Sequence, residues 1–499
     1  MKTKFLKIMF PALVLGLSAC SGKSYGADLK DGGFVVGPSY DVDSMPAEPS
    51  PSMNPGETTI IENPFVSPEE NNTSNVSLTS STFSYPVVRE AINRGSVYNL
   101  KNSVVIEEML NYFSYGYIND TDNELTSFLE LDTCPWNDDH FLASVVVKAT
   151  PAITDNVKNN LVILVDTSGS MTGVFNLVKE SLYTLINGLG NDDMVSIVSY
   201  ASRTQIEIEA KTGKDKKELT KTVDGLMAGG STWGEGGIEL AYAVAREHFI
   251  EGGNNRVMIL TDGDFNVGKV SGEDLTNLIK EKAQQGIYLT CCGYRSGYAN
   301  QTMKVLADNG NGNAYYIDDV FEARKVFEEE FGKAMFTVAK DAKCQIEFNP
   351  EIVNSYRLLG YETRQMSDDE FDDYQKDAGE IMSDHTSIAL YELELKDVAE
   401  VVGNYEYIFK STLRYKKIET GQPVEVVNSK NDISVERISD FQFASYVCEF
   451  GLTLIESEFK GTSSLEHLLA RVNNNYIDDK YRDDFIATVN NAKRVLEKN

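Results

Sequence analysis

The chain has 499 residues, a formal net charge of −30, 41% hydrophobic residues and 24% charged residues. That length accommodates two or three domains at about 100–200 residues each, with ordinary globular composition. The acidic excess argues against a nucleic-acid binder, because phosphate backbones are held by Lys and Arg surfaces. What remains is a surface suited to cationic or metal-mediated contacts, with a generally acidic secreted protein as the plain alternative.

Lys2, Lys4 and Lys7 precede an apolar run, Ile8–Leu17, that is too short to span a bilayer. Leu17-Ser18-Ala19-Cys20 follows and resembles a bacterial lipobox. That resemblance implies a signal peptide over 1–19 and a lipid on Cys20. It also implies a place in the bacterial cell envelope, anchored at the outer membrane and facing either the periplasm or the outside. No later stretch reads as a transmembrane helix, so the lipid is the expected attachment. The other cysteines (Cys134, Cys291, Cys292, Cys344, Cys448) are odd in number and scattered, which is not a disulfide framework, although a bridge from Cys344 stays open. His140, His248, His385 and His467 lack zinc-site spacing.

Residues 20–81 hold seven of the 13 prolines and few large apolar residues, and read as a disordered tether. Sixty such residues span on the order of 45 Å. From Thr82 apolar residues recur at helical steps (Val87, Val88, Ala91, Ile92; then Val105, Met109, Phe113), and Phe141–Ala149 reads as a strand, which gives an N-terminal segment over 82–150. Over 151–337 apolar strand runs (Leu161–Val165, Met194–Tyr200, Val257–Leu260, Ile287–Cys292, Ala314–Ile317) alternate with amphipathic helices, the pattern of a parallel sheet covered on both faces. Gln205–Ala210 is a predicted edge strand. A β-rich segment, 338–430, contains Cys344–Phe348, Ser355–Leu359, Ile388–Leu395 and Tyr405–Tyr415, with an acidic loop at Ser367–Lys376. Helix returns over 431–499, where Phe441, Ala444, Cys448, Leu452 and Ile455 give the first helix one apolar face. Because strand Phe141–Ala149 stops just before the alternating region and similar strands resume at Cys344, the expected fold is an α/β doubly wound, mostly parallel, Rossmann-like domain. It is inserted into a β-sandwich-like flanking domain with extra helices.

Chemistry concentrates where the first buried strand ends. Leu161–Val165 runs into Asp166-Thr167-Ser168-Gly169-Ser170, so one carboxylate and two hydroxyls leave the carboxyl edge of the sheet, where open α/β folds bind ligands. Gly229-Gly230-Ser231-Thr232 offers another hydroxyl just before a helix, and Thr261-Asp262-Gly263-Asp264 follows the strand Val257–Leu260. Asp166, Ser168, Ser170, Thr232 and Asp262 are the candidate ligands of one hard divalent cation, Mg²⁺ or else Mn²⁺ or Ca²⁺. The plain alternative for Asp166 is a helix cap. Asp264 reads as a turn residue, and Gly379-Glu380-Ile381 with His385 as a structural turn before a strand rather than an acid/base pair.

This constellation resembles the metal-ion-dependent adhesion site of von Willebrand factor A domains. The resemblance implies that Ser168, Ser170 and Thr232 touch the metal directly, while Asp166 and Asp262 act through water. Phe175, Trp233 and Phe265 are candidates for an apolar ligand rim, with packing as the alternative; Trp233 stands where a small residue is usual. The segments from Val105 to Phe113, Thr261 to Gly268, Ala339 to Pro350, Arg357 to Glu362 and Asp377 to Ile381 look like a bacterial family of lipid-anchored A-domain proteins. The function implied is metal-dependent adhesion or assembly, with an Asp or Glu carboxylate of a protein partner completing the metal shell and no catalytic residue. One alternative is a scaffold with a structural metal whose C-terminal β region binds. Another is a phosphohydrolase with Asp166 as nucleophile, which Ser168 disfavours by standing where a second acid is needed.

Overall fold

The computed structural model describes residues 61–96, 100–152, 157–230, 235–263, 272–294, 300–331, 336–396, 406–418, 420–474 and 478–497. Cys20, Thr232, Trp233, Asp264 and Phe265 lie outside them.

The described chain begins earlier than composition suggests. Inside the stretch read as tether, β1 (Thr73–Ser77) pairs antiparallel with a later strand. Helices α1 (Ser84–Asn93) and α2 (Ile106–Asn111) follow, then β2 (Leu125–Thr133) and β3 (Phe141–Ala149), paired residue for residue. Strand β3 is buried on both faces. Val145 and Val147 point into one core, while Leu142 and Val146 point into another. This explains why it reads as a continuous apolar run.

The α/β domain then begins. Its elements are β4 (Asn159–Asp166), α3 (Phe175–Gly188), β5 (Met194–Tyr200), β6 (Thr204–Thr212), α4 (Lys216–Gly225), α5 (Glu235–Glu247), β7 (Asn254–Thr261), α6 (Gly272–Gln284), β8 (Ile287–Gly293), α7 (Asn300–Asn309), β9 (Ala314–Tyr316) and α8 (Val320–Arg324). The sheet order is β6-β5-β4-β7-β8-β9, with only β6 antiparallel, at the edge. Alternate residues of β4 feed opposite cores: Leu161, Ile163 and Val165 face α3 and α8, while Val162 and Leu164 face α5 and its neighbours. The expected doubly wound, mostly parallel sheet is what the chain forms.

The chain next builds β10 (Thr337–Phe348), β11 (Val353–Leu359), β12 (Gln365–Met366), α9 (Asp368–Asp372), β13 (Gly379–Met382), β14 (Thr386–Leu395), β15 (Phe409–Lys417) and β16 (Pro423–Lys430). Two antiparallel sheets result, β11-β14-β3-β2 and β12-β1-β10-β15-β16, with β13 also on β10. Between them lies a core that includes Val145, Leu131, Cys344, Ile346 and Leu413. The α/β domain is thus inserted between β3 in one sheet and β10 in the other. Its two crossings are held together by the turn before β14: Ala149 N donates to His385 O (2.9 Å), Ala152 N to Ser383 Oγ (2.7 Å) and Ser383 N to Phe336 O (2.7 Å).

Two local expectations are corrected here. The acidic loop contains α9, started by a capping box in which Ser367 and Glu370 exchange hydrogen bonds. Gly379-Glu380-Ile381 is strand β13 rather than a turn, because β10 is long enough to pair with it beside β1.

Helices α10 (Ile438–Leu454), α11 (Leu465–Asn474) and α12 (Lys480–Leu496) cover the outer face of the β2/β3/β14/β11 sheet together with α1 and α2. The single apolar face expected for α10 is an underestimate. Phe443, Tyr446, Val447 and Phe450 are buried as well, since α10 packs between α2 and the last two helices. Among the described residues no helix is long and apolar enough to cross a membrane, and the five cysteines are free and buried.

Candidate metal centre

Strand β4 delivers Asp166 fully buried at the carboxyl edge of the sheet. Its Oδ1 accepts the Ser168 N–H at 2.8 Å, which turns the chain sharply and brings Ser168 and Ser170 onto one side. Their Oγ atoms lie 2.9 Å apart. Asp166 Oδ2 accepts two hydroxyl donors, Tyr200 from the end of β5 and Thr261 from the end of β7, each at 3.0 Å. Adjacent parallel strands thus lend one donor each to the same oxygen. Burial holds the Asp166 carboxyl above the ordinary range, opposed by the bonds from Ser168, Thr261 and Tyr200.

The second loop is pinned to the first. Gly229 N donates to Thr167 O (2.7 Å) and Gly169 N to Gly230 O (3.0 Å). Gly230 has φ +99°, and a Cβ there would lie 2.5 Å from Ser202 Oγ, so glycine is required. The anchored residues lead directly into the segment that carries Thr232, which falls outside the described residues along with Trp233.

The third loop follows β7. Thr261 Oγ1 also accepts Gly263 N (3.2 Å), so one hydroxyl both braces Asp166 and shapes the turn that carries Asp262. Asp262 is 8% exposed, and its Oδ1 is buried without a hydrogen-bond partner. Asp166 and Asp262 make no ion pair with lysine or arginine among the described residues. Two buried carboxylates and two adjacent hydroxyls at one sheet edge are a donor set for a hard cation, and the orphaned Asp262 oxygen fits that need.

Phe175 does not rim this site. It is 7% exposed and packs in the core with Val178, Leu182 and Ile163, because the 3₁₀ turn Gly169–Gly173 sets the start of α3 so that this position faces the sheet. Met227, two residues before the pinned glycines, is 79% exposed. Sequence reading passed over Met227, Tyr200 and Thr261. For the last two the available signal was a hydroxyl residue ending a predicted strand at the same sheet edge as Asp166.

Residues 160–329 match the family model of the von Willebrand factor type A domain, residues 57–144 a model described as von Willebrand factor, and residues 333–495 the C-terminal model of the uncharacterized protein YfbK. The uncharacterized protein YfbK of Escherichia coli (strain K12) is 32% identical over 471 residues, covering 87% of this chain and 80% of its own. The voltage-dependent calcium channel subunit alpha-2/delta-2 of Mus musculus is 25% identical over 200 residues, 37% of this chain and 17% of that protein. Among solved structures, von Willebrand factor type A from Catenulispora acidiphila aligns with a TM-score of 0.41 and 14% identity, over 75% of this chain and 91% of that one. Matched from the start of its described residues to its last helix, the chain belongs to the YfbK family of von Willebrand factor type A domain proteins.

Proposed function

We propose that this protein is a lipid-anchored, metal-dependent protein-binding module of the bacterial cell envelope. Asp166, Ser168, Ser170, Thr232 and Asp262 would hold Mg²⁺, and a carboxylate from a protein partner would take its open position. The metal, when bound, supplies the positive charge that these acids lack and an electrophilic point for the partner's oxygen. The observation that carries this reading is Asp262 Oδ1, buried and unpartnered one strand away from Asp166. A relative that is by name a channel subunit supports assembly with other chains as the use of such a domain. Binding is favoured over phosphoryl chemistry because Ser168, not an acid, stands two residues after Asp166. The lipid on Cys20 and the outer-membrane location rest on the signal sequence alone.

Titration calorimetry with MgCl₂ on the full-length chain tests the first step, with Asp166→Ala and Ser168→Ala beside the wild type. The expected result is at least a tenfold weaker affinity in both variants. Equal affinity in all three proteins rejects the site. Crosslinking in living cells tests the second step, and the reading requires that capture of the partner be lost with Asp166→Ala.

A further inference from the structure

Away from the metal centre, the inserted domain and the β-sandwich together line a partly open cleft of about 430 Å³. The α/β domain contributes Asp308 of α7 and the loop that precedes β9, and the sandwich contributes Ser81, Arg364 and Glu380. Its apolar lining consists of alanines (Ala283, Ala314, Ala378), which gives nothing for a fatty or aromatic ligand to pack on.

The backbone fixes Glu380 and Arg364. Ser80 Oγ donates to Glu380 O (3.1 Å) and accepts Met382 N (3.0 Å), while Ser77 N donates to Arg364 O (2.9 Å). Yet Glu380 Oε2 is buried without a partner, and so is Ser81 Oγ. The half-buried Arg364 guanidinium makes no ion pair or hydrogen bond among the described residues. The cleft's Lys304 is already committed, at 2.8 Å, to both oxygens of Glu108. Glu380 and Arg364 thus line one polar volume, shared with Asp308, Asp377 and Lys280, without a side-chain hydrogen bond or ion pair of their own among the described residues; Arg364 acts on Asp308, and Lys340 on Glu380, only through the longer-range field.

We propose that this interdomain cleft binds a small zwitterion, a polar amino acid or a short peptide, whose ammonium group meets Glu380 and whose carboxylate meets Arg364. The volume lies within the usual range for small-molecule sites, about 300–1,000 Å³. Ser81 and the cleft's asparagines supply hydrogen-bonding groups for a polar side chain. Electrostatics agree. Burial raises the Glu380 carboxyl to about 8, opposed by Lys340 and aided by Asp341, Asp377 and Asp308, and an ammonium group beside it would favour the ionised form.

The test is titration calorimetry and thermal melting of the full-length chain in 1 mM MgCl₂. The probes are L-glutamine and L-alanyl-L-glutamine, with acetate, ethylammonium and CaCl₂ as controls that offer a ligand charge of one sign only. The expected result is binding and a raised melting temperature with a zwitterion and with none of the controls, and at least a tenfold loss of affinity in both Glu380→Gln and Arg364→Gln. Glu380→Gln replaces a buried acid, held largely neutral by burial, with a neutral side chain of the same shape, so it should melt no lower than wild type without ligand, which separates lost binding from lost fold. Absence of binding by both zwitterions, an equal response to any control, or unchanged affinity in both variants overturns the proposal.

Discussion

The Tyr200 hydroxyl donates to Oδ2 of Asp166 at 3.0 Å, from a residue 34 positions away in sequence and one strand away in the sheet. The same oxygen takes the Thr261 hydroxyl, so the carboxylate is fixed before any cation arrives. Outer contacts of this kind typically govern metal affinity by 10–100-fold. Tyr200→Phe keeps the ring in its core and deletes one donor. We expect Mg²⁺ affinity to fall about tenfold and the metal-free protein to lose about 1 kcal/mol, read by calorimetry and urea midpoints. Unchanged affinity would mean that Thr261 and the Ser168 N–H suffice to orient Asp166.

Asp262 gives a prediction whose sign depends on the cation. Its Oδ1 is buried and unpartnered, a cost that a neutral amide reduces. In EDTA, Asp262→Asn should therefore melt at or above the wild-type temperature. In millimolar MgCl₂ the order should reverse, because only the wild type gains the linkage stabilisation of a bound ion. A variant that melts below wild type by the same margin in both buffers would assign Asp262 a purely structural role.

What the sequence made legible was local. Asp166, Ser168, Ser170 and Asp262 were readable because each follows an apolar strand run directly, and strand, loop and sheet edge are fixed within about ten residues. The contacts of Tyr200 and Thr261 with Asp166 span 34 and 95 residues, and no local pattern encodes them. Strand β1 was hidden for the same reason. Thr-Ser-Asn-Val-Ser has one apolar residue, and it is a strand because Val76 lies opposite Cys344 in β10. Phe175 was ambiguous, since an aromatic in the first turn of a helix reads alike at a rim or in a core. Only the preceding 3₁₀ turn decides it.

Arg89 ties the end of the inserted domain to the helices around it. Fully buried on α1, it reaches Asp318 (2.6 and 2.8 Å), Glu322 of α8 (2.9 Å) and Asp484 of α12 (2.8 Å). Replacing it by methionine fills space but strands two buried acids, and removing one partner of a buried ion pair typically costs about 3–5 kcal/mol. Arg89→Met should lower the urea midpoint by that amount at pH 7.5. The loss should shrink at pH 5, where Asp318 and Glu322, both held above the ordinary range by burial, take up protons. A loss below about 1 kcal/mol would show that solvent reaches these acids.

Glu107 sets a pH dependence of definite sign. It is fully buried in the first turn of α2, its Oε2 accepts Tyr361 N at 2.9 Å, and a Cβ at Gly360 would approach that oxygen to 2.7 Å. Burial raises its carboxyl from 4.5 to about 7, with Glu362 and Glu108 pushing the same way against the Tyr361 N–H. Between those values the folded chain holds a proton that the unfolded chain has released, so stability falls as pH rises from about 4.5 to 7 and stays reduced above that. The contribution is up to about 3 kcal/mol. Glu107→Gln keeps an acceptor for Tyr361 and removes the titration. Other raised acids, Glu322 among them, slope the wild-type profile the same way, so the decisive quantity is the difference between variant and wild type. It should favour the variant by about 2 kcal/mol at pH 7.5 and vanish near pH 5, measured by urea unfolding at both values. A difference that does not change with pH would show that Glu107 is charged in the folded chain throughout.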